Sequence, residues 1–202
     1  MINEKKNKEL FIELYNKYIT RNGAKELLEW IEGTDFFEAP ASASFHLNER
    51  GGLCQHSLNV FKRLCKILKD EYGDKYPEYF NGMESIAIVA LLHDICKADY
   101  YVEELRNVKI DGKWEQVPFY KVKEKFHFGH GSKSVYIIQN FMLLDLDEAS
   151  AIRYHMGGME YPNANFIEPF VTEVYNDYPL ALYVHMADLS ASYIDERIIK
   201  DE

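Results

Sequence analysis

Apolar and charged residues alternate with a helical period along most of the chain. Over residues 4–20, apolar residues recur every three or four positions with Lys and Glu between them, which predicts an amphipathic helix that ends at Asn22-Gly23. Residues 34–51 are predicted to be irregular, as is the Gly-, Pro- and Asn-rich stretch of residues 157–165. The same reasoning predicts further helices over residues 24–31, 53–68, 83–97, 132–142, 147–156, near 166–175, and from Pro179 to about Ile199.

In one segment, the hydrophobic residues alternate with polar ones as in a β-strand rather than recur with a helical period. Between residues 104 and 119, two alternating stretches flank Asp111-Gly112, a dipeptide typical of a tight hairpin turn. The sequence contains no repeat, no low-complexity tract and no linker. We therefore predict a single, mostly helical domain over residues 1–202, with residues 1–33 packed on it as an N-terminal helical extension.

Composition and charge narrow the class of protein. The chain has 202 residues, of which 47% are hydrophobic, so it can form a substantial core. Its net charge of −10 disfavours tight, nonspecific binding to a nucleic-acid duplex. No CxxC pair is formed by the cysteines, which are Cys54, Cys65 and Cys96. The N-terminus lacks the pattern of a signal peptide. The longest apolar run is too short to span a bilayer. These features predict a cytoplasmic protein with no membrane partner.

His93 and Asp94 are adjacent at the end of an apolar helical run. Imidazole and carboxylate groups beside a core are unfavourable unless they are paired or bound to a cation. A divalent metal is the simplest cation that would use both groups. The dipeptide therefore points to a metal-dependent hydrolase.

Other histidines and an aspartate fall at the ends or inner faces of separate predicted helices. Facing helices of a bundle can each supply one ligand to a shared metal site. Imidazole and carboxylate together suit Mn, Fe, Co, Ni or Zn. Six ligands exceed what one metal with an open position requires, so they favour two divalent metals bridged by Asp94. The predicted ligands are His56, His93, Asp94, His130, His155 and Asp188.

The order of these residues resembles the H…HD…D signature of the HD superfamily of metal-dependent phosphohydrolases. Residues 51–58, GGLCQHSL, are similar to the opening motif of HD domains in bacterial 3′-to-5′ exoribonucleases. Residues 93–97, HDICK, resemble the common HD-I-G-K motif, with Cys96 where Gly is usual. Residues 185–188, HMAD, resemble the closing H-x-A-D motif. The similarity spans roughly residues 45–195.

The resemblance implies an all-α, HD-domain-like helical bundle, to which the chain adds a small β-hairpin insertion near residues 104–119. It implies hydrolysis of a phosphoester bond through a hydroxide that bridges two metals. One metal would be held by His56, His93, Asp94 and Asp188. The other would be held by Asp94, His130 and His155.

Several residues are candidates for catalysis or for contact with a phosphorylated substrate. Asp94 is predicted to be catalytic as the bridging ligand. Lys97 follows His93 by four residues and is predicted to face the same cleft, where it would bind phosphate or stabilise the transition state. Lys133 lies near a predicted helix start, which also favours anions. The remaining candidate substrate contacts are Arg50, Arg153 and His46.

The leading interpretation is a phosphohydrolase that acts on a small phosphoester, either a nucleotide or a cyclic nucleotide. One alternative is a nuclease that acts on the ends of short single-stranded nucleic acid. Another is a non-catalytic regulatory module that binds metal and nucleotide. A mixed-valent di-iron oxygenase is a remote further alternative.

Overall fold

The computed structural model describes residues 2–124, 127–160 and 170–197, and these residues form eight α-helices and one hairpin. Three 3₁₀ segments lie at Gly73–Tyr79, Ile95–Lys97 and Gly157–Glu160, and a π-helical turn at Ala191–Asp195 follows the last helix. The predicted class, an all-α bundle with a small β-hairpin insertion, is confirmed. The helices are α1 (Glu4–Tyr18), α2 (Ala24–Glu32), α3 (Gly52–Tyr72), α4 (Met83–Leu92), α5 (His130–Gln139), α6 (Leu146–Arg153), α7 (Val171–Asp177) and α8 (Pro179–Ser190).

The helix predicted over residues 83–97 is shorter in the structure. Helix α4 ends at Leu92, and a 3₁₀ turn at Ile95–Lys97 follows. Asp94 has φ −106° and ψ 16°, which is not helical, so the backbone turns at the His93-Asp94 pair. Apolar residues resume at Ile95 and Cys96, directly after His93-Asp94. Hydrophobic periodicity therefore did not reveal that the helix ends at Leu92.

The hairpin is longer than predicted. Strands β1 (Tyr101–Ile110) and β2 (Lys113–Val122) pair antiparallel, with Ile110 opposite Lys113. Asp111 and Gly112 form the two-residue connection, and both have positive φ, as the turn that matches strand twist requires. Most residues of both strands are exposed, so the hairpin lies outside the core.

Helix α4 is the centre of the core. Every residue from Ser85 to Leu92 is buried, and a helix that is apolar on all sides has to be surrounded by other elements. Helices α1, α3 and α6 pack against it, while α8 packs against α3 and α6. This arrangement brings the end of α4, the start of α3 and the ends of α6 and α8 close together.

The N-terminal helices also belong to this packing. Phe11 of α1 lies 5.0 Å from Phe36, measured between ring centroids, and the Tyr15 hydroxyl donates to the carbonyl oxygen of Ala24 at 2.8 Å. No helix in the described ranges is long and apolar enough to cross a membrane. The cytoplasmic location stays a prediction, as does the single-domain organisation. Residues 161–169 and the predicted helix end near Ile199 lie outside the described residues.

Candidate metal centre

Five separate segments bring the six predicted ligands together. Helix α3 carries His56 in its first turns, the turn after α4 carries His93 and Asp94, and α8 carries Asp188 near its end. His130 begins α5, and His155 follows the end of α6. Apart from His130, which is partly exposed, these residues are buried.

The close approach of α5 to α6 is built into the sequence at Gly131. A Cβ atom at that position would lie 2.3 Å from the carbonyl oxygen of Arg153, which is far too short for any other residue. His130 directly precedes Gly131, and His155 lies two residues after Arg153. The glycine thus permits the contact that places both imidazoles at one site.

Backbone carbonyls fix the orientation of two imidazoles. His93 Nδ1 lies 2.9 Å from the carbonyl oxygen of Ala90, and His155 Nδ1 lies 2.7 Å from that of Ile152. A carbonyl oxygen can only accept, so each Nδ1 carries the proton and each Nε2 presents a lone pair. A histidine that binds a metal through Nε2 is held in this way.

Asp94 lies between the imidazoles. Its Oδ1 is 2.5 Å from His130 Nε2 and 3.4 Å from His155 Nε2. Its Oδ2 is 3.6 Å from His93 Nε2 and 3.8 Å from His56 Nε2. One carboxylate therefore faces four ring nitrogens.

Asp188 and His56 form the other side of the cluster. Asp188 Oδ1 lies 3.2 Å from His56 Nε2, which in turn lies 3.2 Å from His93 Nε2. Besides His46, His56 and Glu196, three groups of side chains have ligand atoms that lie within 4.8 Å of one another across this region. The groups are His56, His93 and Asp188; His93, Asp94 and His155; and Asp94, Cys96 and His130.

The donor atoms fit divalent transition metals. His155 Nε2 is fully buried and has no hydrogen-bond partner in the described structure, a situation that is unfavourable unless a cation satisfies the lone pair. Imidazole nitrogens and carboxylate oxygens are the ligands that such metals use. The residues present are therefore suited to bind metal ions.

The electrostatics of the cluster also favour a cation. Burial alone would lower the pKa of His56, but hydrogen bonds with Asp188 and Glu196 raise it to about 10. The pKa of His130 is likewise raised to about 10 by Cys96 and Asp94, against the effect of burial. Without a metal, protons on these rings supply the positive charge that the buried carboxylates require, and a metal would displace them.

Lys97 lies beside Asp94, at the inner end of a cavity. The 3₁₀ turn brings its Nζ to 2.6 Å from Asp94 Oδ2. Burial opposes its charge, but the Asp94 carboxylate outweighs that effect and raises the pKa of Lys97 above its ordinary value. Lys97 is therefore a permanent cation at this site rather than a group that exchanges protons.

The cavity has a volume of about 520 Å³ and opens onto the cluster. His56, Asp94, Lys97 and Asp188 form its inner end. The rest of its wall comes from the loop before α3, from Met156, and from the segment that begins in α8 and ends after the π-helical turn. The residues of that wall are Ser42, Ser44, Phe45, His46, Met156, Leu189, Ser192, Tyr193, Glu196 and Arg197.

Glu196 is a site residue that sequence reasoning missed. Its buried carboxylate accepts hydrogen bonds from His56 Nδ1 at 3.0 Å, His46 Nδ1 at 2.5 Å and Asn59 Nδ2 at 2.8 Å. Burial raises the pKa of Glu196, but the hydrogen bonds from His46 and His56 outweigh it and lower the pKa to about 2. In the sequence it is one of 33 acidic residues, with no motif to distinguish it.

Three other side chains sit close to the cluster. His46, a candidate substrate contact, lines the cavity and pairs with Glu196. Cys96 Sγ lies 3.3 Å from His130 Nδ1, a contact that sequence reasoning also missed, although the departure from HD-I-G-K marked this position. His185 Nδ1 donates to the carbonyl oxygen of His155 at 2.6 Å and so supports the backbone of a predicted ligand.

Three cations that were candidates for phosphate binding do not line the cavity. Arg50 pairs with Glu4 at 3.0 Å and with Glu38 at 2.9 Å on the surface. Lys133 is buried and pairs with Glu124 at 2.7 Å. Arg153 lies over the ring of Tyr154, 4.8 Å from its centroid. Each of these cations thus has a protein contact away from the cavity, and a role for them in binding substrate stays a prediction.

Comparison with known proteins gives one match. The family model described as HD domain matches residues 53–197, which is most of the chain and includes all six predicted ligands. Neither the curated proteins nor the solved structures gave a significant match.

Proposed function

This chain belongs to the HD domain family of metal-dependent phosphohydrolases, and on that premise we propose that it hydrolyses a phosphoester bond in a nucleotide or cyclic nucleotide. The observation that carries the proposal is the convergence of four imidazoles on the Asp94 carboxylate at the inner end of a cavity. A phosphoester in this cavity would meet the cluster directly.

The proposed cofactors are two divalent ions chosen from Mn, Fe, Co, Ni and Zn. When bound, such ions act as Lewis acids toward the phosphoryl group and make water a stronger nucleophile near neutral pH. One ion would be held by His56, His93 and Asp188, whose ligand atoms lie within 4.8 Å of one another, together with Asp94, whose Oδ2 lies 3.6 Å from His93 Nε2. The other would be held by Asp94, His130 and His155, since Asp94 Oδ1 lies 2.5 Å from His130 Nε2 and 3.4 Å from His155 Nε2.

The chain's own residues have distinct roles in this proposal. Hydrogen bonds at Nδ1 hold the rings of His56, His93 and His155 with Nε2 directed inward, so that no reorientation is needed during the reaction. Asp94 supplies negative charge to both ligand sets. Lys97 Nζ, fixed next to Asp94, donates to a phosphoryl oxygen and neutralises the charge that develops there.

The size of the cavity supports a small substrate. A volume of about 520 Å³ is in the range of roughly 300–1,000 Å³ that is typical of sites for single small molecules. A net charge of −10 also works against binding a long phosphate backbone. Both the cavity volume and the net charge favour a single nucleotide as substrate over the end of a nucleic-acid strand, which the nuclease alternative requires.

The test is a hydrolysis assay with defined metals. Protein stripped with a chelator is reloaded separately with Mn, Fe(II), Co, Ni or Zn, and its metal content is measured by elemental analysis. Bis-p-nitrophenyl phosphate, nucleoside monophosphates and cyclic nucleotides are then offered as substrates. We expect hydrolysis with at least one metal, two ions per chain, and loss of activity in Asp94→Asn.

Asp195→Asn is the matched control, because Asp195 pairs with Arg63 and does not line the cavity. This variant should hydrolyse the same substrates as the unmodified protein. Absence of hydrolysis with every metal, in protein shown to be loaded, would overturn the proposed function in favour of the regulatory module.

A further inference from the structure

The cavity beside the candidate metal centre has two chemically different parts. Its inner end carries Lys97 and three of the predicted ligands, His56, Asp94 and Asp188, and a phosphoryl group could be held there by bound metal and Lys97. Its outer wall contains Phe45 and Tyr193, together with Met156 and Leu189. A substrate that consisted of phosphate alone would make no use of this outer part.

Phe45 is exposed although the loop that carries it is well fixed. Its side chain is 76% exposed, and its ring contacts no other aromatic ring in the described ranges. Ser42 Oγ accepts from the backbone N–H of Phe45 at 2.8 Å and donates to the carbonyl oxygen of His46 at 2.9 Å. An ordered loop thus holds a large apolar side chain in solvent at the rim of a cavity, which is characteristic of a binding surface.

Tyr193 also lines the cavity, from the segment that follows α8. It is 68% exposed and lies within the π-helical turn Ala191–Asp195, a distortion that is frequent at functional sites. Like Phe45, it forms no ring contact with the described residues. Two exposed aromatic rings from distant parts of the sequence therefore line one cavity.

Two contacts join the segments that carry these rings. His46, which follows Phe45, pairs with Glu196 at 2.5 Å. Ser192, which precedes Tyr193, lies with its Oγ 3.4 Å from His46 Nε2. The positions of both rings relative to the candidate metal centre are thus held by the same buried network that orients His56.

The cavity wall includes one cation, Arg197, that suits an anionic ligand. Arg197 lines the cavity and forms no ion pair with any residue that the structure describes. Lys97, by contrast, is already paired with Asp94. Within the described part of the chain, Arg197 thus adds a guanidinium without an ion-pair partner to the aromatic surface of the cavity.

We propose that Phe45 and Tyr193 form a binding site for a nucleobase, occupied when the substrate phosphate lies at the candidate metal centre. This inference rests on the proposed function and names the part of the substrate that the outer cavity recognises. Stacking against an aromatic side chain strengthens the binding of a base by about 5- to 100-fold. The substrate is then a mononucleotide rather than a phosphate ester that lacks a ring.

The experiment compares ligands that differ only in the base. Non-hydrolysable phosphonate analogues of adenosine 5′-monophosphate and of ribose 5-phosphate are titrated calorimetrically into the protein loaded with the metal that it retains on purification. We expect the adenosine analogue to bind at least about tenfold more tightly. Phe45→Leu and Tyr193→Leu should each remove most of this difference and leave the affinity for the ribose analogue unchanged.

Two control variants distinguish the loss of ring stacking from a general effect of substitution on the protein. Tyr193→Phe keeps the ring and should retain base-dependent binding. Trp114→Leu removes an exposed aromatic side chain on the hairpin, which does not line the cavity, and should change nothing. Equal affinity for the two analogues, no binding of either, or equal weakening of both by the leucine variants would overturn the proposal.

The result of the binding experiment is independent of the hydrolysis assay, because the protein does not hydrolyse phosphonates. Base-dependent binding without hydrolysis of any phosphoester would support the nucleobase site and contradict the proposed enzyme. Hydrolysis of p-nitrophenyl esters with no preference for the adenosine analogue would support the enzyme and contradict the nucleobase site.

Discussion

The Glu196 carboxylate accepts a hydrogen bond from His56 Nδ1 at 3.0 Å, across 140 residues of sequence. It thereby leaves His56 Nε2 to face Asp188 Oδ1 at 3.2 Å. A carboxylate, an imidazole and a metal in line form a recurrent arrangement, in which the carboxylate orients the ring and makes it a stronger ligand. Glu196 is therefore expected to act on the metal through His56 rather than by contact with it.

Replacing Glu196 by Gln should weaken metal binding by about 10- to 100-fold. The Glu196 carboxylate is negatively charged and has two acceptor oxygens, whereas a glutamine amide is neutral and has one. The hydrogen bonds from His56 and His46 are therefore weakened, and the His56 ring is held less firmly. Competition with a chromogenic chelator measures the affinity without reference to activity. The adjacent Asp195→Asn is the control, since that carboxylate pairs with Arg63 instead. An unchanged affinity in Glu196→Gln would contradict the positioning role.

Replacing Lys97 by Met should separate turnover from metal binding. Lys97 Nζ lies 2.6 Å from Asp94 Oδ2 and therefore competes with a cation for that oxygen. Loss of the ammonium should lower kcat by about 10²- to 10³-fold, because one preorganised donor to the transition state is removed. Metal content, measured by elemental analysis, should not fall. If activity and metal content fell in parallel, the role of Lys97 in stabilising the transition state would be refuted.

Cys96 should influence which metal the site prefers. Its Sγ lies 3.3 Å from His130 Nδ1, and it groups with Asp94 and His130 at ligand distances. A sulfur atom favours zinc over manganese, because zinc accepts soft ligands and manganese prefers oxygen. Cys96→Ser should therefore shift the ratio of retained zinc to manganese toward manganese. Cys65→Ser serves as the control, and an identical ratio in all three proteins would exclude an influence of Cys96.

The sequence was sufficient to predict six side chains that the structure brings together, because they are rare residue types at the ends of apolar segments. Histidine and aspartate next to a buried helix have few alternatives to pairing or ligation, as His93 and Asp94 show. Glu196 could not be identified in the same way. Its burial follows from the π-helical turn after α8, which brings it to α3, and no local pattern encodes that approach.

The positions of the candidate phosphate contacts were also not predictable from local sequence. Lys133 lies near the predicted ligand His130 in the sequence, but its ammonium group pairs with Glu124 at 2.7 Å. Arg50 precedes the glycines before α3, yet it pairs with Glu4 of α1. The partner of a long cation depends on the tertiary fold. A basic residue near a motif is therefore weak evidence for a substrate contact.

Replacing Arg21 by Ala should destabilise the fold by about 2–4 kcal/mol. Its guanidinium donates to both carboxylate oxygens of Glu148 at 2.7 Å, and Glu148 is completely buried. Without Arg21, the Ser85 hydroxyl, at 2.6 Å, would be the one side-chain donor to that carboxylate among the described residues. Urea unfolding at neutral pH measures the loss. Lys25→Ala, at an exposed pair with Glu29, should change little, and an equal effect of the two variants would contradict the argument.

Replacing Glu84 by Gln should reduce the loss of stability in acid. Partial burial would raise the pKa of Glu84, but hydrogen bonds from the backbone N–H groups of Thr20 and Arg21 outweigh this and lower it below 4.5. A carboxyl group whose pKa is lower in the folded state than in the unfolded state stabilises the fold above pH 4.5. This stabilisation is lost as the pH falls through the pKa of the group in the folded state. Glu84→Gln should therefore be less stable than the unmodified protein at pH 7, with a difference that shrinks below pH 4.5. Urea midpoints at pH 7, 4 and 3 measure this trend, and Glu29→Gln is the exposed control. A difference that stayed constant across the three pH values would show that the charge of Glu84 contributes nothing.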